Sequence, residues 1–411
     1  MARLIIFTNN FPFGNGETFL ETEIFYLKNH FTSIHIFPLY YGQSKKARQV
    51  PPNTTYSEPF LKIDVVKNRP GLLLAGIANN APVGFAIKEL LTKKGFFLNF
   101  NHFKNWLSEV CIIRNILSSV NRKKIYSKIQ EDSILYFYWG DKSSGIVPII
   151  RRKYNIPIVA RFHNSDLYEE IKNGYIPFRP KLLSNLTTAV FIAIKGERYM
   201  KNRYPNIPFQ SYVFRLGVNH VASFKHRNDG VFRIVSCSYV VPIKRLDLII
   251  DTLNTLDFKI QWTHIGGGPL LEEIKQKSKM LKSNISSHFM GHVNNKEVLE
   301  FYKLNSVDLF LNVSASEGIP VSIMEAIAAG IPVIGTDVGG TSEIIDEPFG
   351  KLIERNFSVH HLGQLIQEIY MKKEEEKIMM REAAFNFWNK NFNAEKNYTS
   401  FAEYLSKIGS H

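Results

Sequence analysis

Short apolar runs of strand length alternate with helical spacings along most of the chain, and the pattern stops and restarts once. Leu4–Phe7, Ser33–Pro38, Ile134–Tyr138, Ile156–Arg161 and Thr188–Ile194 read as strands of the first series. Thr18 followed by Glu21 has capping-box form and opens a helix to about Lys28. Residues 70–130 read as mostly helical. The second series holds strands at Phe232–Cys237, Ile260–Ile265, Ile285–Met290, Leu309–Val313 and Val333–Gly335. Helices at Arg245–Leu256, Leu270–Leu281, Asn295–Lys303 and Val321–Ala329 separate them. Such alternation demands βαβ units and a parallel sheet. Asn219–Asp229 is polar and aperiodic, which places a linker there. The expected fold class is therefore α/β, with two doubly wound domains at 1–218 and 219–385 and a helical closing segment at 386–411. Ligands of such sheets bind beyond the C-terminal strand ends, so a cleft between the two domains is the expected site.

The 411 residues suit two or three domains, and 45% hydrophobic with 21% charged residues excludes a disordered or fibrous chain. Cys111 and Cys237 are the only cysteines, too few for a disulfide scaffold or a cysteine-built zinc or iron–sulfur cluster. A reduced, cytoplasmic compartment follows most simply. The apolar start of the chain is too short for a signal peptide and reads as a first strand. Gly71–Leu91 is the most membrane-like stretch, but Asn79, Asn80, Pro82 and Lys88 interrupt it, and a turn at Asn79–Pro82 between ordinary helices is expected instead.

Charge is divided unevenly. Residues 1–220 hold 30 Lys/Arg and 14 Asp/Glu, a net of +16; residues 221–411 hold 21 and 23, a net of −2. A one-sided basic surface implies an acidic partner. The basic runs Lys45–Arg48, Arg122–Lys124 and Arg151–Lys153 lie without zinc-finger spacing or an RNA-binding aromatic signature, which argues against nucleic acid. Apolar segments such as Gly95–Leu98 and Trp106–Leu107 interleave with them and favour an anionic membrane face.

The most informative segment runs from Ser316 to Glu343. Glu317 follows a strand, and Glu325 stands about two turns into the next helix, with seven residues between them. At about 1.5 Å of rise per helical residue, the two carboxylates can address the two ends of one extended ligand. The helix start between them offers unpaired N–H groups and a positive dipole end, a seat for phosphate. A sugar, a phosphate and a ribose in that order describe a nucleotide sugar.

SEGIPVSIMEAIAAGIPVIGTDVGG resembles the signature of the retaining family 4 glycosyltransferases of GT-B fold, a fold of two Rossmann-like domains whose last helix crosses back to the first. The resemblance assigns Glu317 to the sugar hydroxyls, Glu325 to the ribose, and the backbone of Gly318, Ile319, Pro320, Val321 and Ser322 to the donor. Ile234–Asp247 is similar to the segment that holds donor phosphates, which gives Lys244 to the diphosphate. It departs from the family at Tyr239, where arginine is common, and at Arg245, where glycine is common; either a phosphate-binding cation is missing or Arg245 replaces it. Gly266 and Gly268 match the Gly-rich turn after the second strand, where a base or backbone approaches closely. Gly291 and Val293 match the turn beside the base. In the first half, Phe11–Glu17 resembles the glycine loop after the first strand, which puts Gly14 and Gly16 on the acceptor side. The strand-end segment Arg161–Tyr168 resembles that of the family's histidine, giving His163 to the reacting centre and Asp166 to the acceptor side. Arg215 lies in the turn that closes the first domain, and Ala193 stands where the family commonly has serine.

The resemblance implies a retaining transfer with no assigned nucleophile, in which Lys244, with or without Arg245, neutralises the leaving diphosphate. The sequence has no Asp-x-Asp, so no metal or other cofactor is expected. The expected donor is a UDP-sugar rather than a GDP-sugar. The expected acceptor is a saccharide or lipid-linked glycan of surface polysaccharide or lipopolysaccharide assembly, reached from the cytoplasmic face of an anionic membrane. A nucleotide-sugar epimerase and a non-catalytic nucleotide-sugar binder remain as alternatives.

Overall fold

The computed structural model describes residues 2–14, 16–42, 44–61, 84–92, 99–221, 227 and 229–409. The expected turn at Asn79–Pro82, the apolar Gly95–Leu98 and much of the 219–229 linker lie outside them. The chain divides into two compact units: Met1–Leu216 with Glu395–His411, and Gly217–Ala394.

The first unit is built on seven parallel strands in the order β3-β2-β1-β4-β5-β6-β7. These are β1 Arg3–Thr8, β2 Ser33–Pro38, β3 Thr54–Tyr56, β4 Ser133–Phe137, β5 Ile158–Phe162, β6 Thr188–Phe191 and β7 Ser211–Val213. β4 and β5 are buried at every position, which suits central strands covered by helices on both faces. The second unit repeats the plan with six parallel strands in the order β10-β9-β8-β11-β12-β13. They are β8 Phe232–Cys237, β9 Ile260–Ile265, β10 Ile285–Gly291, β11 Leu309–Asn312, β12 Val333–Thr336 and β13 Gly350–Ile353.

Thr18 and Glu21 do not form a capping box. The N-cap of helix Thr18–Leu27 is Glu17, in the left-handed region at φ 57° with no side-chain cap. The Glu21 carboxylate instead accepts from Arg48 at 2.7 Å. A true capping box closes helix Asn295–Leu304, where Asn294 and Glu297 exchange bonds of 3.0 and 2.8 Å.

The closing segment is two helices, and the expected boundary at 386 falls inside the first. Glu374–Asn391 packs in the second unit, where Trp388 stacks on His220 with ring centroids 5.6 Å apart. There Val218 pairs with Asn393, its N–H donating to Phe392 O at 2.9 Å. The return to the first unit begins at Glu395, and Phe401, Ala402 and Leu405 of helix Ala394–Ile408 complete a buried cluster with β1, β2 and β4. Residue spacing alone does not reveal the break at Phe392, because both helices carry aromatic residues.

That cluster contains an ion pair shut away from water. Arg161 of β5 meets Glu23 of helix Thr18–Leu27, and both side chains are fully buried. The Tyr136 hydroxyl donates to Glu23 at 3.1 Å, and the Arg161 guanidinium lies 4.3 Å from the Phe401 ring centroid. Burial raises the Glu23 carboxyl against the lowering pull of Arg161. Breaking such a pair strands a buried charge. Glu23→Ala should therefore cost about 3–5 kcal/mol of unfolding free energy in urea titrations, while the double change Glu23→Met, Arg161→Met should cost clearly less than the single one.

Candidate active site

Both sheets reverse their winding once, between β1 and β4 and between β8 and β11. Loops leave the C-terminal ends of those strands in diverging directions, which opens a crevice. In the second unit Lys244 follows β8 and Glu317 follows β11, and Lys244 Nζ donates to Glu317 Oε1 at 2.6 Å across that gap. Their side chains are 20% and 10% exposed, so the pair is sheltered but reachable. Asn312 Nδ2 adds a bond of 3.3 Å to the same oxygen.

Arg245 is tied into the protein rather than free for a ligand. It adopts φ 51°, and its guanidinium donates to Val313 O at 2.7 Å, Arg355 O at 2.7 Å and Ser314 O at 3.3 Å. It braces the β8 loop against the β11 loop, and Ala315 N–H reinforces the brace by donating to Ile243 O at 2.8 Å. The structure therefore puts Arg245 in a positioning role and leaves Lys244 as the cation that faces the crevice. Tyr239, at the departure from the family pattern, is 61% exposed.

Helix Val321–Ala328 begins at Pro320 without a side-chain cap. The N–H groups of Ile323 and Met324 bond to Pro320 O, while those of Val321 and Ser322 find no acceptor among the described residues. Glu325 is the fifth residue of this helix, so it stands one turn in rather than two. The Gly-Gly turn after β12 packs on the same loop. A Cβ on Gly339, at φ 56°, would lie 1.9 Å from Glu317 O, and Gly340 N–H donates to Gly318 O at 2.6 Å. Only glycine fits there, which ties the spacing of the motif to the position of Glu317.

Gly266 and Gly268 also serve backbone approach. At φ 144° and 157° they pass so close to the β8 loop that a Cβ would meet Ser238 O at 1.9 Å and Val240 O at 2.4 Å. Gly266 N–H donates to Gly291 O at 3.0 Å, joining the β9 and β10 turns, and Val293 follows half-buried. Beneath them His264 Nδ1 pairs with Ser236 Oγ at 2.9 Å and Nε2 with Ser238 O at 3.2 Å. Since Ser238 O only accepts, Nε2 carries the proton and Nδ1 accepts from Ser236. Burial holds this imidazole down at about 4, hence neutral at pH 7.

In the first unit the corresponding crevice is closed by Glu17. Its carboxylate accepts from the N–H groups of Asn9, Asn10 and Phe11 at 2.8, 2.8 and 2.6 Å, and from Trp139 Nε1 at 2.7 Å. Gly14, at φ 65°, and Gly16 lie in the loop so wrapped around it. The sequence shows Glu17 in this loop but not that it organises the loop, since Trp139 is 122 residues away. Asp166 likewise acts as a staple: its carboxylate accepts from His163 N–H and Gly140 N–H, each at 2.6 Å, and Arg179 bonds Gly140 O at 2.9 Å. Burial and the nearby Asp141 raise its pKa.

His163 differs from both. It is buried, lies 4.3 Å from the Trp139 ring and 4.9 Å from the Tyr138 ring by centroids, and neither ring nitrogen has a partner among the described residues. Unpaired buried nitrogens are costly, so this ring has hydrogen-bonding capacity that the described residues do not use. Burial and Arg161 keep the ring neutral. Arg215 is half-buried just after β7, and Ala193 is the uncapped N-cap of helix Ile194–Arg203. Among the described residues no three His, Cys, Asp or Glu side chains form a metal-binding set, and no helix is long and apolar enough to cross a membrane.

Residues 222–387 match the family described as glycosyl transferases group 1. An uncharacterised glycosyltransferase of Methanocaldococcus jannaschii is 27% identical over 64% of this chain and 73% of its own. The O-antigen biosynthesis glycosyltransferase WbnH of Escherichia coli is 33% identical over 42% of this chain, and the match spans 48%, about half, of that relative. Among solved structures, a sucrose-phosphate synthase from Thermosynechococcus elongatus superposes with a TM-score of 0.70 at 13% identity, covering 99% of each chain. The Anabaena protein HepE, solved in complex with UDP, superposes with a TM-score of 0.64 at 13% identity over 99% of this chain and 100% of its own.

Glu325 is 5% exposed, and Asn295 Nδ2 donates to it at 2.5 Å. Burial pushes its carboxyl from 4.5 up to about 7, against the pull of that bond. The folded state thus binds the proton more tightly than the unfolded one. The contribution of this one group to stability is full below about pH 4.5, is lost as pH rises to about 7 and is then constant, a difference of about 3 kcal/mol. Glu325→Gln keeps the oxygen that Asn295 bonds and removes the buried charge. The variant should exceed the wild type in stability by about 3 kcal/mol at pH 8 and match it at pH 4, as read by paired urea titrations.

Proposed function

We propose that this chain, which has a GT-B fold and matches glycosyl transferases group 1 over residues 222–387 of its second unit, is a retaining, metal-independent hexosyltransferase of family 4 type. It moves a sugar from a UDP-sugar to a saccharide or lipid-linked acceptor in surface-polysaccharide assembly. The observation that carries this reading is the Lys244–Glu317 pair across the β8/β11 crevice, beside the open N–H groups of Val321 and Ser322. An anionic diphosphate is the ligand that such a cation and helix start accommodate together. The UDP in the HepE structure and the O-antigen role named for WbnH support the donor and acceptor classes.

In this reading the bond between the anomeric carbon and the diphosphate oxygen breaks. The acceptor oxygen bonds to that carbon on the same face and passes its proton to the departing phosphate. Lys244, drawn from Glu317 to the phosphate, and the helix start hold the growing negative charge. Glu317 then orients sugar hydroxyls. Glu325 accepts from the ribose hydroxyls, whose O–H groups favour its ionised form and oppose the effect of burial. His163 gives its free ring nitrogens to a sugar hydroxyl. Lys244 supplies charge that other transferases take from a divalent ion, so the reading needs no metal. Contact of the basic first unit with an anionic membrane is part of the same reading.

UDP at about 100 times its dissociation constant should stabilise the wild type by roughly 2.7 kcal/mol in thermal-shift measurements. GDP should give a smaller shift, and Lys244→Ala should abolish the UDP effect. Transfer from UDP-sugars to extracted membrane glycans should fall at least about 100-fold in Lys244→Ala and in Glu317→Ala. It should withstand chelation and yield a product of unchanged anomeric configuration by NMR. Inversion, loss of activity on chelation, or turnover of the donor into an epimer without acceptor would each refute a stated part.

A further inference from the structure

The first unit contains a cavity of about 880 Å³ that the reaction above does not use. Its walls include helix Gly84–Thr92, helix Arg179–Leu183 and the end of helix Ile194–Arg203. Arg152, Ser184 and Asn206–Pro208 also line it, and they sit on the connections entering β5, β6 and β7. Those strand starts are at the end of the sheet opposite the loops that carry Gly14 and His163. Glu169, Tyr175 and Ile176, on the connection leaving β5, line it as well, and none of the residues read as the candidate active site does.

Its chemistry is two-sided. Phe85, Ile176, Pro180, Ile207 and Pro208 give it an apolar wall. The Phe85 ring is fixed edge-on to Phe178 at 5.2 Å. Two acids line it, and both are engaged. Glu89 accepts from the Tyr175 hydroxyl at 2.8 Å and from Phe178 N–H at 3.1 Å. Glu169 accepts from the Tyr204 hydroxyl and pairs with Arg203 at 2.7 Å. Arg152 and Lys181 are exposed at the wall and have no acidic partner among the described residues. Positive charge is therefore in surplus beside an apolar surface.

The volume falls within the range of about 300–1,000 Å³ typical of small-molecule sites. A lone phosphate would answer the cations and leave the apolar wall wet; an uncharged hydrocarbon would do the reverse. We propose that this cavity binds an anionic amphiphile, a phosphate head on an apolar chain, with the head at Arg152 and Lys181 and the chain along Phe85, Ile176 and Ile207. The inference rests on the lipid-side part of the reading above and gives it a specific seat. Membrane phospholipids and lipid-linked glycan carriers share this chemistry.

The test titrates the full chain with dodecyl phosphate below its micellar concentration, with inorganic phosphate, and with neutral phosphatidylcholine vesicles alone or carrying phosphatidylglycerol or polyprenyl phosphate. Saturable binding of dodecyl phosphate at one site is expected, at least about tenfold tighter than inorganic phosphate. Arg152→Glu with Lys181→Glu should weaken it at least about tenfold. Lys123→Glu with Lys124→Glu makes the same charge change elsewhere on the unit and should leave it within about twofold. Preferential binding to polyprenyl phosphate vesicles would identify a carrier as the source, and binding to phosphatidylglycerol vesicles alone a bilayer lipid. Equal losses in the two double variants would replace the cavity by diffuse surface charge. Phosphate binding as tight as dodecyl phosphate, or no saturable binding, would also overturn the proposal. The UDP thermal shift reports folding and the donor site in every variant, so the glycosyltransferase reading stands or falls separately.

Discussion

A parallel sheet that reverses its winding leaves two neighbouring strands whose exit loops turn away from each other, and the polar groups at that gap need partners. Everything of chemical interest in this chain is arranged around how the two gaps are bridged. In the second unit the bridge is an ion pair, Lys244 with Glu317. In the first it is the Glu17 carboxylate, held by three backbone N–H groups of the β1 loop and by Trp139 after β4.

The two bridges differ in what they leave over. A carboxylate has about four acceptor sites. Glu17 receives four donors and is spent on holding its loop. Glu317 receives Lys244 and Asn312 through Oε1, and Oε2 has no partner among the described residues. The first bridge is finished architecture, and the second is one that a ligand can enter. The unpaired nitrogens of His163 are the first unit's own unfinished polar group, set beside the Trp139 that Glu17 orients. Braces of Arg245 and the Gly339 contact keep the open bridge in place without occupying it.

Central strands were legible because fully buried parallel strands are continuous apolar runs, as in Ile134–Phe137. The edge strands β3, β7 and β13 were missed: they have three or four residues, and β3 and β13 are partly exposed, so little apolar pattern marks them. The spacing of Glu317 and Glu325 was legible because one loop and one helix set it, whereas Lys244 came from a separate segment after β8 and meets Glu317 only in the folded sheet. The actual use of Arg245, Asp166 and Glu17 was not, because each depends on partners brought close only by the folded sheet. The Thr18/Glu21 pattern misled for a related reason: Arg48, distant in sequence, takes the Glu21 carboxylate that a local cap would have needed.

The second unit is one uninterrupted stretch, Gly217–Ala394, while the first needs Glu395–His411 to fill its core. A chain emerging from the ribosome therefore presents β1 to β7 long before Phe401 and Leu405 exist to cover Arg161 and Tyr136. Domains ordinarily fold as they emerge, the N-terminal one first. Here the order is inverted: the half made first is completed last, and the half made later can be finished before it. Until Phe401, Ala402 and Leu405 are made, the buried face around Arg161 and Tyr136 lacks the residues that cover it.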